Sequence, residues 1–316
     1  ETKGNINNWL SYRYRQRLNR SNDSSGNIDN LPTSIDIAGI GVKLGKGFSI
    51  FAGKQCTAYG GIEFDLNPIE IYEYSDMIEN MSNFMTGLNI GYDINAHQQL
   101  NLQILDSRNG SFNKTYGVET EDGEQPTIES GKLPLVYTLN WNGNFNDVFK
   151  TRWSASIMNE AKDKNLYYFA FGNELNLNKF NMFLDFMYSK EGIDRKGIMT
   201  GITGSMEGHN AFDAGYFSMV TKLNYRFLPK WNAFVKGMYE TASLTKQQGD
   251  LEKGKYRTAW GYFAGVEFYP MDTNLHFFLT YVGRSYDFTA RAKALGQENY
   301  STNRVSVGFI YQLPMF

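Results

Sequence analysis

Hydrophobic and polar side chains alternate with a period of two residues along most of this chain. The clearest alternating runs lie at residues 12–18, 100–104, 149–157, 182–188, 275–281 and 305–311. Such alternation is typical of β-strands that have one apolar and one polar face. Each run extends over about 9–12 residues, which is the length of a tilted strand that crosses a bilayer. About 14 such runs predict an all-β fold, an antiparallel up-and-down β-barrel of the transmembrane class.

The connections between these runs alternate between short and long. Short connections lie near residues 45–46, 94–97, 143–147, 176–179, 227–230 and 269–274. Long connections lie near residues 19–33, 57–82, 107–133, 190–213, 241–255 and 285–302, with a shorter one near 159–165. Outer-membrane barrels have this arrangement because tight turns face the periplasm and long loops face outward. The pattern therefore indicates a location in the bacterial outer membrane.

All of residues 1–316 fit one barrel domain. An even number of strands would put both chain termini on the periplasmic side. Residues 1–5 read like the end of a strand followed by a short turn, and the first long run begins directly after them. We therefore expect that an upstream strand pair is missing from this chain and that the intact barrel has about 16 strands.

Composition narrows the remaining fold classes. The mean hydropathy is −0.46, and no apolar run reaches the roughly 20 residues that a membrane-spanning helix needs. Aromatic residues make up 16% of the chain, and many lie on apolar faces, where rings favour the level of the lipid headgroups. A soluble aromatic core is the alternative, but the second face of these strands is too polar to pack another sheet. The net charge of −2 gives no reason to expect a nucleic-acid partner.

If the apolar side chains face lipid, the alternate side chains face a lumen, where water solvates charges at little cost. The predicted pore-lining basic residues are Arg13, Arg15, Arg17, Lys54, Lys150, Arg152, Lys222, Arg226, Lys236, Arg284 and Arg304. Acids on the same faces are fewer: Glu174, Asp185, Glu240 and Glu267. An excess of fixed cations favours anions, and arginine suits bidentate contact with phosphate or carboxylate. Alternatively, these charges only keep the lumen wet and pair with loop acids.

Arg13, Arg15 and Arg17, called the arginine ladder below, repel one another unless something neutralises them. We expect the neutralising charges on residues 57–82, the candidate constriction loop inside the barrel. The predicted constriction-loop acids are Glu63, Asp65, Glu70, Glu73, Asp76 and Glu79. The many apolar residues of this segment argue against a fully solvated loop. The alternative is an outward loop that packs on its neighbours or on another subunit.

No catalytic or metal-binding constellation stands out. The three histidines lack metal-ligand spacing, and Cys56 has no partner cysteine. No Gly-rich phosphate loop and no nucleophile elbow are present in the sequence. We therefore expect no enzyme activity, no cofactor and no metal. A hydrolase assembled from distant strands is one alternative, and a calcium site in the acidic loop 119–129 is another.

Four segments carry a family likeness: residues 12–19 (YRYRQRLN), 52–55 (AGKQ), 59–68 (YGGIEFDLNP) and 72–76 (YEYSD). They resemble the Bacteroidetes branch of the phosphate-selective porin O and P family, over roughly residues 5–110. The resemblance implies a barrel of about 16 strands, often trimeric, that passes small anions under a constricting loop. Anion-specific members carry dense basic clusters at the constriction, whereas this chain has Lys54 and the arginine ladder beside many acids. General diffusion therefore stays open beside phosphate selectivity.

The sequence thus predicts a porin for passive diffusion of small hydrophilic solutes that favours anions such as phosphate. The expected partners are outer-membrane lipid and lipopolysaccharide, anionic or neutral solutes, and either copies of the chain in a homotrimer or other envelope proteins. The alternative from another class is a non-conducting barrel that acts as a partner or scaffold in an outer-membrane complex.

Overall fold

The computed structural model of the chain describes residues 1–18, 33–66, 68–119, 128–271 and 275–311. Within these ranges, no helix is both long enough and apolar enough to cross a membrane. Most of the acidic loop 119–129, namely residues 120–127, lies outside the described residues.

The regular structure of the described residues consists of fifteen strands and six short helices. The strands are β1 (Thr2–Asn5), β2 (Leu10–Leu18), β3 (Thr33–Gly45), β4 (Phe48–Cys56), β5 (Phe84–Asn95), β6 (Gln98–Asp106), β7 (Leu135–Phe145), β8 (Phe149–Ala161), β9 (Lys164–Asn176), β10 (Phe180–Ile193), β11 (Phe212–Leu228), β12 (Trp231–Leu244), β13 (Gly254–Phe268), β14 (Leu275–Phe288) and β15 (Tyr300–Tyr311). The helices are α1 (Ile62–Asp65), α2 (Pro68–Ile71), α3 (Asp76–Glu79), α4 (Phe112–Tyr116), α5 (Ile198–Thr203) and α6 (Ala290–Ala294). The all-β prediction is confirmed. The sequence predicted about 14 strands. The additional strand is β1, a four-residue strand that pairs with β2.

The fifteen strands form one antiparallel sheet in sequence order. Within the described residues, β1 and β15 are the two ends of this order. Because consecutive strands pair, the connections fall alternately on the two edges of the sheet. One edge carries tight turns such as Lys46–Gly47, whereas the other carries long connections such as 57–83 and 194–211. The predicted sorting of turns and loops is therefore confirmed.

The two faces of the sheet differ in exposure as the alternation predicts. On β12, Val235 is 51% exposed on the outer face, whereas the neighbouring Lys236 is buried on the inner face. On β15, Val307 is 81% exposed. Aromatic side chains pair across strands on the outer face, as Trp153 does with Trp141 and Phe171. A continuous apolar outer surface of this extent is a membrane surface and not that of a soluble monomer.

The buried core lies on the inner face of the sheet, against the connection between β4 and β5. Ile62, Met77 and Ile78 of this connection belong to one cluster with inward side chains such as Met187 and Phe263. The connection contains three short helices, α1, α2 and α3, each a single turn. The connection thus packs against the inner face of the sheet.

Candidate functional site: the inner face of the sheet

Two glycines allow the 57–82 segment to approach the sheet closely. Gly60 and Gly61 have φ angles of 70° and 86°, a region that strongly favours glycine. A Cβ atom on Gly60 would lie 2.9 Å from the carbonyl oxygen of Arg152, and one on Gly172 of β9 would lie 2.7 Å from the Cα of Gly61. The Gly-Gly pair of the family motif is therefore explained by direct backbone packing against β8 and β9.

Asp185 on β10 fixes the start of α1. Its carboxylate accepts hydrogen bonds from the backbone N–H groups of Ile62 at 2.9 Å and of Glu63 at 2.7 Å. These groups would otherwise lack partners, because the first N–H groups of a helix have none within it. Gly61 in turn donates its N–H to the carbonyl oxygen of Arg152 at 3.0 Å. The segment is thus held to β8 and β10 through its backbone.

Lysines of β11 and β12 hold the middle of the segment. Lys236 Nζ lies 2.6 Å from Glu63 Oε1 and 2.6 Å from the carbonyl oxygen of Glu73. Lys222 Nζ donates to the carbonyl oxygen of Glu70 at 2.6 Å and lies 4.7 Å from the centre of the Phe234 ring. Both lysines are buried, so their charges act mainly on the segment and not on bulk solvent.

Arginines of β13 and β14 converge on Asp76. Arg257 pairs with Asp76 Oδ2, and Arg284 Nη2 lies 3.0 Å from Asp76 Oδ1. Arg284 Nη2 also lies 2.6 Å from Glu240 Oε2 on β12, and its Nη1 lies 3.5 Å from Glu73 Oε1. The arrangement is a connected ion-pair network, which joins three adjacent strands to the segment.

Tyr72 is held in an unusual backbone conformation by the inner face. Its φ of 65° is rare for a bulky residue and costs free energy. The ring stacks on Phe234 with a centroid distance of 4.9 Å, and the hydroxyl donates to Glu267 Oε1 at 2.8 Å. Its carbonyl oxygen accepts from Arg304 Nη2 on β15 at 3.0 Å. Together, these contacts hold Tyr72 in this backbone conformation.

The six predicted acids of the segment therefore have two kinds of environment. Four are paired with basic side chains of the inner face, and two have no ion-pair partner within the described residues. The pairs are Glu63 with Lys236, Asp65 with Arg152 at 2.9 Å, Glu73 with Arg284 and Arg304, and Asp76 with Arg257 and Arg284. Glu70 and Glu79 are exposed.

The arginine ladder has other partners than the sequence suggested. Arg15 Nε and Arg17 Nη2 lie 3.1 Å and 3.0 Å from the same oxygen, Asp36 Oδ2. Arg13 pairs with Glu1 at 2.7 Å. The prediction that acids of the 57–82 segment neutralise the ladder is therefore wrong, because Asp36 is closer. The segment acids neutralise the opposite half of the inner face instead.

A β-bulge explains why Asp36 was not foreseen. Arg15 pairs with Ile37 and Gln16 with Ile35, so Asp36 is the extra residue between two consecutive pairs. A bulge redirects the side chain of its extra residue, and here the carboxylate is buried beside the guanidinium groups. Strict alternation along β3 cannot reveal such a shift.

A cavity of about 930 Å³ separates the ladder from the 57–82 segment. Its lining includes the three ladder arginines together with Phe64, Asp65, Leu66, Tyr74, Ile78 and Glu79 of the segment. Arg13, Arg15 and Arg17 are 46%, 36% and 50% exposed at their side chains. Burial raises the pKa of the Tyr74 hydroxyl to about 12, so this group is neutral at physiological pH. The cavity therefore has a basic side on β2 and an acidic side on the segment.

The remaining predicted basic residues are distributed more widely. Lys150 lies 3.8 Å from Glu174, and Arg226 lines a 510 Å³ cavity near the tight-turn edge. Lys54 pairs with Ala38 and Thr86 in the sheet. It thus shares the outer face with Ala52 and lies away from the lumen, since side chains of one strand alternate between faces.

Sequence reasoning missed Arg257, although a signal for it existed. Arg257 lies ten residues before Glu267 on the same strand, so an even spacing puts both on the inner face. The assignment of Glu267 as a lumen acid therefore implied the same face for Arg257. Within the described residues, no group of acidic, histidine and cysteine side chains could hold a metal ion.

A family model described as phosphate-selective porin O and P matches residues 1–313 of this chain. The match names no taxon, so the Bacteroidetes branch has no support beyond the motifs. A search of curated proteins by sequence finds no match.

Solved structures of outer-membrane channels resemble the chain in fold. The outer membrane channel DcaP of Acinetobacter baumannii has a TM-score of 0.64 at 11% identity, covering 95% of this chain and 79% of that one. OmpT of Vibrio cholerae in a trimer form has a TM-score of 0.54 at 10% identity, covering 91% and 79%. OccAB3 of Acinetobacter baumannii has a TM-score of 0.52 at 14% identity, covering 97% and 77%. These likenesses show a common barrel fold.

Proposed function

Because this chain belongs to the phosphate-selective porin O and P family, we propose that its lumen favours small anionic solutes such as phosphate. The protein is an outer-membrane porin and not an enzyme. Passive diffusion needs no chemistry, so selectivity rests on the width of the path and on the charges beside it.

The observation that carries the proposal is the charge balance of the arginine ladder. Three guanidinium groups face two carboxylates, those of Glu1 and Asp36, which leaves one uncompensated positive charge. The ladder is partly exposed to the 930 Å³ cavity, so an entering anion can reach it. Phe84 lies 5.0 Å from the Arg15 guanidinium and restrains it by a cation–π contact. A restrained, partly hydrated cation row lowers the free energy of an anion beside it.

We further propose that residues 57–82 act as the constriction loop. The segment is tied to β8 and to β10–β15 by the contacts described above, and the cavity lies between it and β2. Asp65 and Glu79 line the side opposite the ladder. The resulting field across the narrow part would draw anions towards β2 and cations towards the segment.

Planar-bilayer electrophysiology tests this function. With purified protein in a KCl gradient, the expected reversal potential has the sign of chloride preference, and added orthophosphate should reduce the chloride current. A reversal potential with the sign of potassium preference would contradict the proposal. A complete lack of conductance in correctly folded protein would instead favour the non-conducting scaffold.

We also propose that the chain forms a homotrimer, with the outer face of β3–β5 in the subunit interface. Lys54 lies there beside Ala52 and near Leu88, and it has no ion-pair partner within the described residues. A lysine facing lipid costs up to about 2–4 kcal/mol, a cost that a neighbouring subunit would remove. The expected mass in mild detergent is three times 36.1 kDa, and Lys54→Trp should shift it towards the monomer. A monomeric native protein would contradict the trimer.

A further inference from the structure

A row of neutral amides covers the inner face next to the arginine ladder. This amide wall consists of Gln55 on β4, Asn89 on β5, Asn101 and Gln103 on β6, and Asn140 on β7. Glycines such as Gly53 and Gly87 lie between them, and a Cβ atom on either would lie 2.2 Å from a backbone oxygen. Because the glycines add no side chains between the amides, the wall presents mainly amide groups.

The amides bond to one another but keep free capacity. Asn89 Nδ2 donates to Asn101 Oδ1 at 3.2 Å, and Gln103 Nε2 donates to Gln55 Oε1 at 3.2 Å. The Nε2 groups of Gln55 and Gln103 also donate to backbone carbonyl oxygens, whereas an amide oxygen can accept two hydrogen bonds, so the free capacity of the wall lies in its amide oxygens. Within the described residues, Asn89 Oδ1 has no hydrogen-bond partner. An unused acceptor in a polar channel wall calls for an explanation.

The amide wall and the ladder line two adjoining cavities. A cavity of about 640 Å³ is lined by Ser11, Arg13, Phe51, Gln55, Asn89 and Gln103, among others. Arg13 and Ile37 line both this cavity and the 930 Å³ cavity. Cavities of a few hundred cubic ångströms hold ligands of many atoms, whereas an inorganic anion needs only the guanidinium groups.

We propose that the preferred solutes are hydroxylated organic anions, with the anionic group at the arginine ladder and the hydroxylated body along the amide wall. The free amide oxygens can accept hydrogen bonds from hydroxyls, and the Phe51 ring offers an apolar surface for C–H groups. The inference rests on the proposed anion preference and specifies its substrate class.

The opposite half of the lumen suits such a solute less well. The 510 Å³ cavity near the tight-turn edge is lined by Glu70, Glu174 and Glu267 together with Lys222 and Arg226. Its carboxylates would repel an anion, whereas the amide wall carries no charge. The geometry therefore favours a path for an organic anion along β4–β6.

Titration of the channel current with three solutes tests the proposed substrate class separately from the proposed anion preference. Glucose 6-phosphate, orthophosphate and glucose are added in turn to the wild-type channel in a planar bilayer, and the half-blocking concentration of each is measured. We expect glucose 6-phosphate to bind more tightly than either of the other two. Equal binding of glucose 6-phosphate and orthophosphate with intact chloride preference would overturn the substrate class alone. Potassium preference with no orthophosphate block would overturn the proposed anion preference.

A matched pair of variants locates the contact. Asn89→Ala removes an amide of the wall, and Asn224→Ala removes a comparable amide that lines the 510 Å³ cavity and bonds to Asn181 at 3.2 Å. Asn89→Ala should weaken glucose 6-phosphate binding by about 2-fold to 10-fold, the effect of one neutral hydrogen bond, without changing orthophosphate binding. Asn224→Ala should change neither. Equal effects of the two variants would contradict a site at the amide wall, and the wild-type titration stays decisive if Asn89→Ala does not assemble.

Discussion

Lys236 on β12 and Glu63 in the 57–82 segment form an ion pair at 2.6 Å, with side chains that are 1% and 0% exposed. Ser75 donates its hydroxyl to Glu63 Oε2 at 2.6 Å, so both carboxylate oxygens have partners. A charge pair buried this deeply fixes the position of the segment relative to the sheet, because neither charge can be solvated elsewhere without a large cost.

Lys236→Met should destabilise the protein strongly. The variant leaves Glu63 buried without its countercharge, which costs about 3–5 kcal/mol in the free energy of unfolding. The double variant Lys236→Met with Glu63→Gln should recover a large part of this loss. Denaturant unfolding in lipid vesicles, followed by circular dichroism, measures each value.

Lys246→Met is the matched control for this prediction. Lys246 pairs with Asp213 at 2.9 Å but is 65% exposed, and such surface pairs contribute at most about 1 kcal/mol. Similar losses for Lys236→Met and Lys246→Met would mean that the Glu63 pair does not hold the segment.

Removal of the ladder arginines and removal of their carboxylate partner should change the anion selectivity in opposite directions. Arg15→Gln with Arg17→Gln removes two cations beside the 930 Å³ cavity, so the ratio of chloride to potassium permeability should fall severalfold. A unit charge at 4 Å changes the free energy of an ion by about 1 kcal/mol in water. Asp36→Asn should raise the same ratio, because it frees the positive charge of both arginines. Reversal potentials in a KCl gradient provide the measurement.

Arg291→Gln controls for a general loss of positive charge. Arg291 pairs with Glu252 at 2.7 Å and is 44% exposed, but it lies on α6, in a long connection between strands. Its replacement should leave the permeability ratio unchanged. A ladder variant that behaves like this control would argue against selection at the ladder.

Gly60→Ala should disturb the packing of the 57–82 segment against β8. The positive φ and the 2.9 Å approach to the Arg152 carbonyl oxygen make a side chain unfavourable, by about 1–3 kcal/mol. Gly201→Ala on α5 meets no atom within 4 Å and should be neutral or slightly stabilising, because alanine favours helix. Thermal unfolding gives both values, and current noise in bilayers should rise only for Gly60→Ala. Equal stability of the two variants would show that the close approach is dispensable.

The sequence is sufficient for the strands but not for all inner-face contacts. Alternation identifies the outward Val235 and the inward Lys236 because a strand has a strict period of two. It fails at Asp36, where a bulge changes the phase. It also fails at Lys54, because apolar residues occur on both faces of β4, with Ile50 facing outward and Phe51 lining a cavity.

The pairing of the segment acids needed the three-dimensional arrangement. Asp76 and Arg284 are 208 positions apart in the chain, and no local pattern relates them. Sequence reasoning predicted that these acids would meet a basic face, but it assigned them to the arginine ladder, which pairs with Asp36 and Glu1 instead. The motif with Gly60 and Gly61 pointed to a family resemblance, but the physical reason for the two glycines is their close approach to β8 and β9.

Thiol labelling of two neighbouring positions on β2 tests the central claim most directly, namely that lipid and an anion-accessible lumen alternate along each strand. In a Cys56→Ser background, since Cys56 is exposed, Arg15→Cys and Tyr14→Cys are treated in bilayers with a negatively charged, water-soluble thiosulfonate. Arg15→Cys should react and lose chloride conductance, whereas Tyr14→Cys should stay unmodified because it faces hydrocarbon. Rapid modification of Tyr14→Cys together with an inert Arg15→Cys would contradict the account.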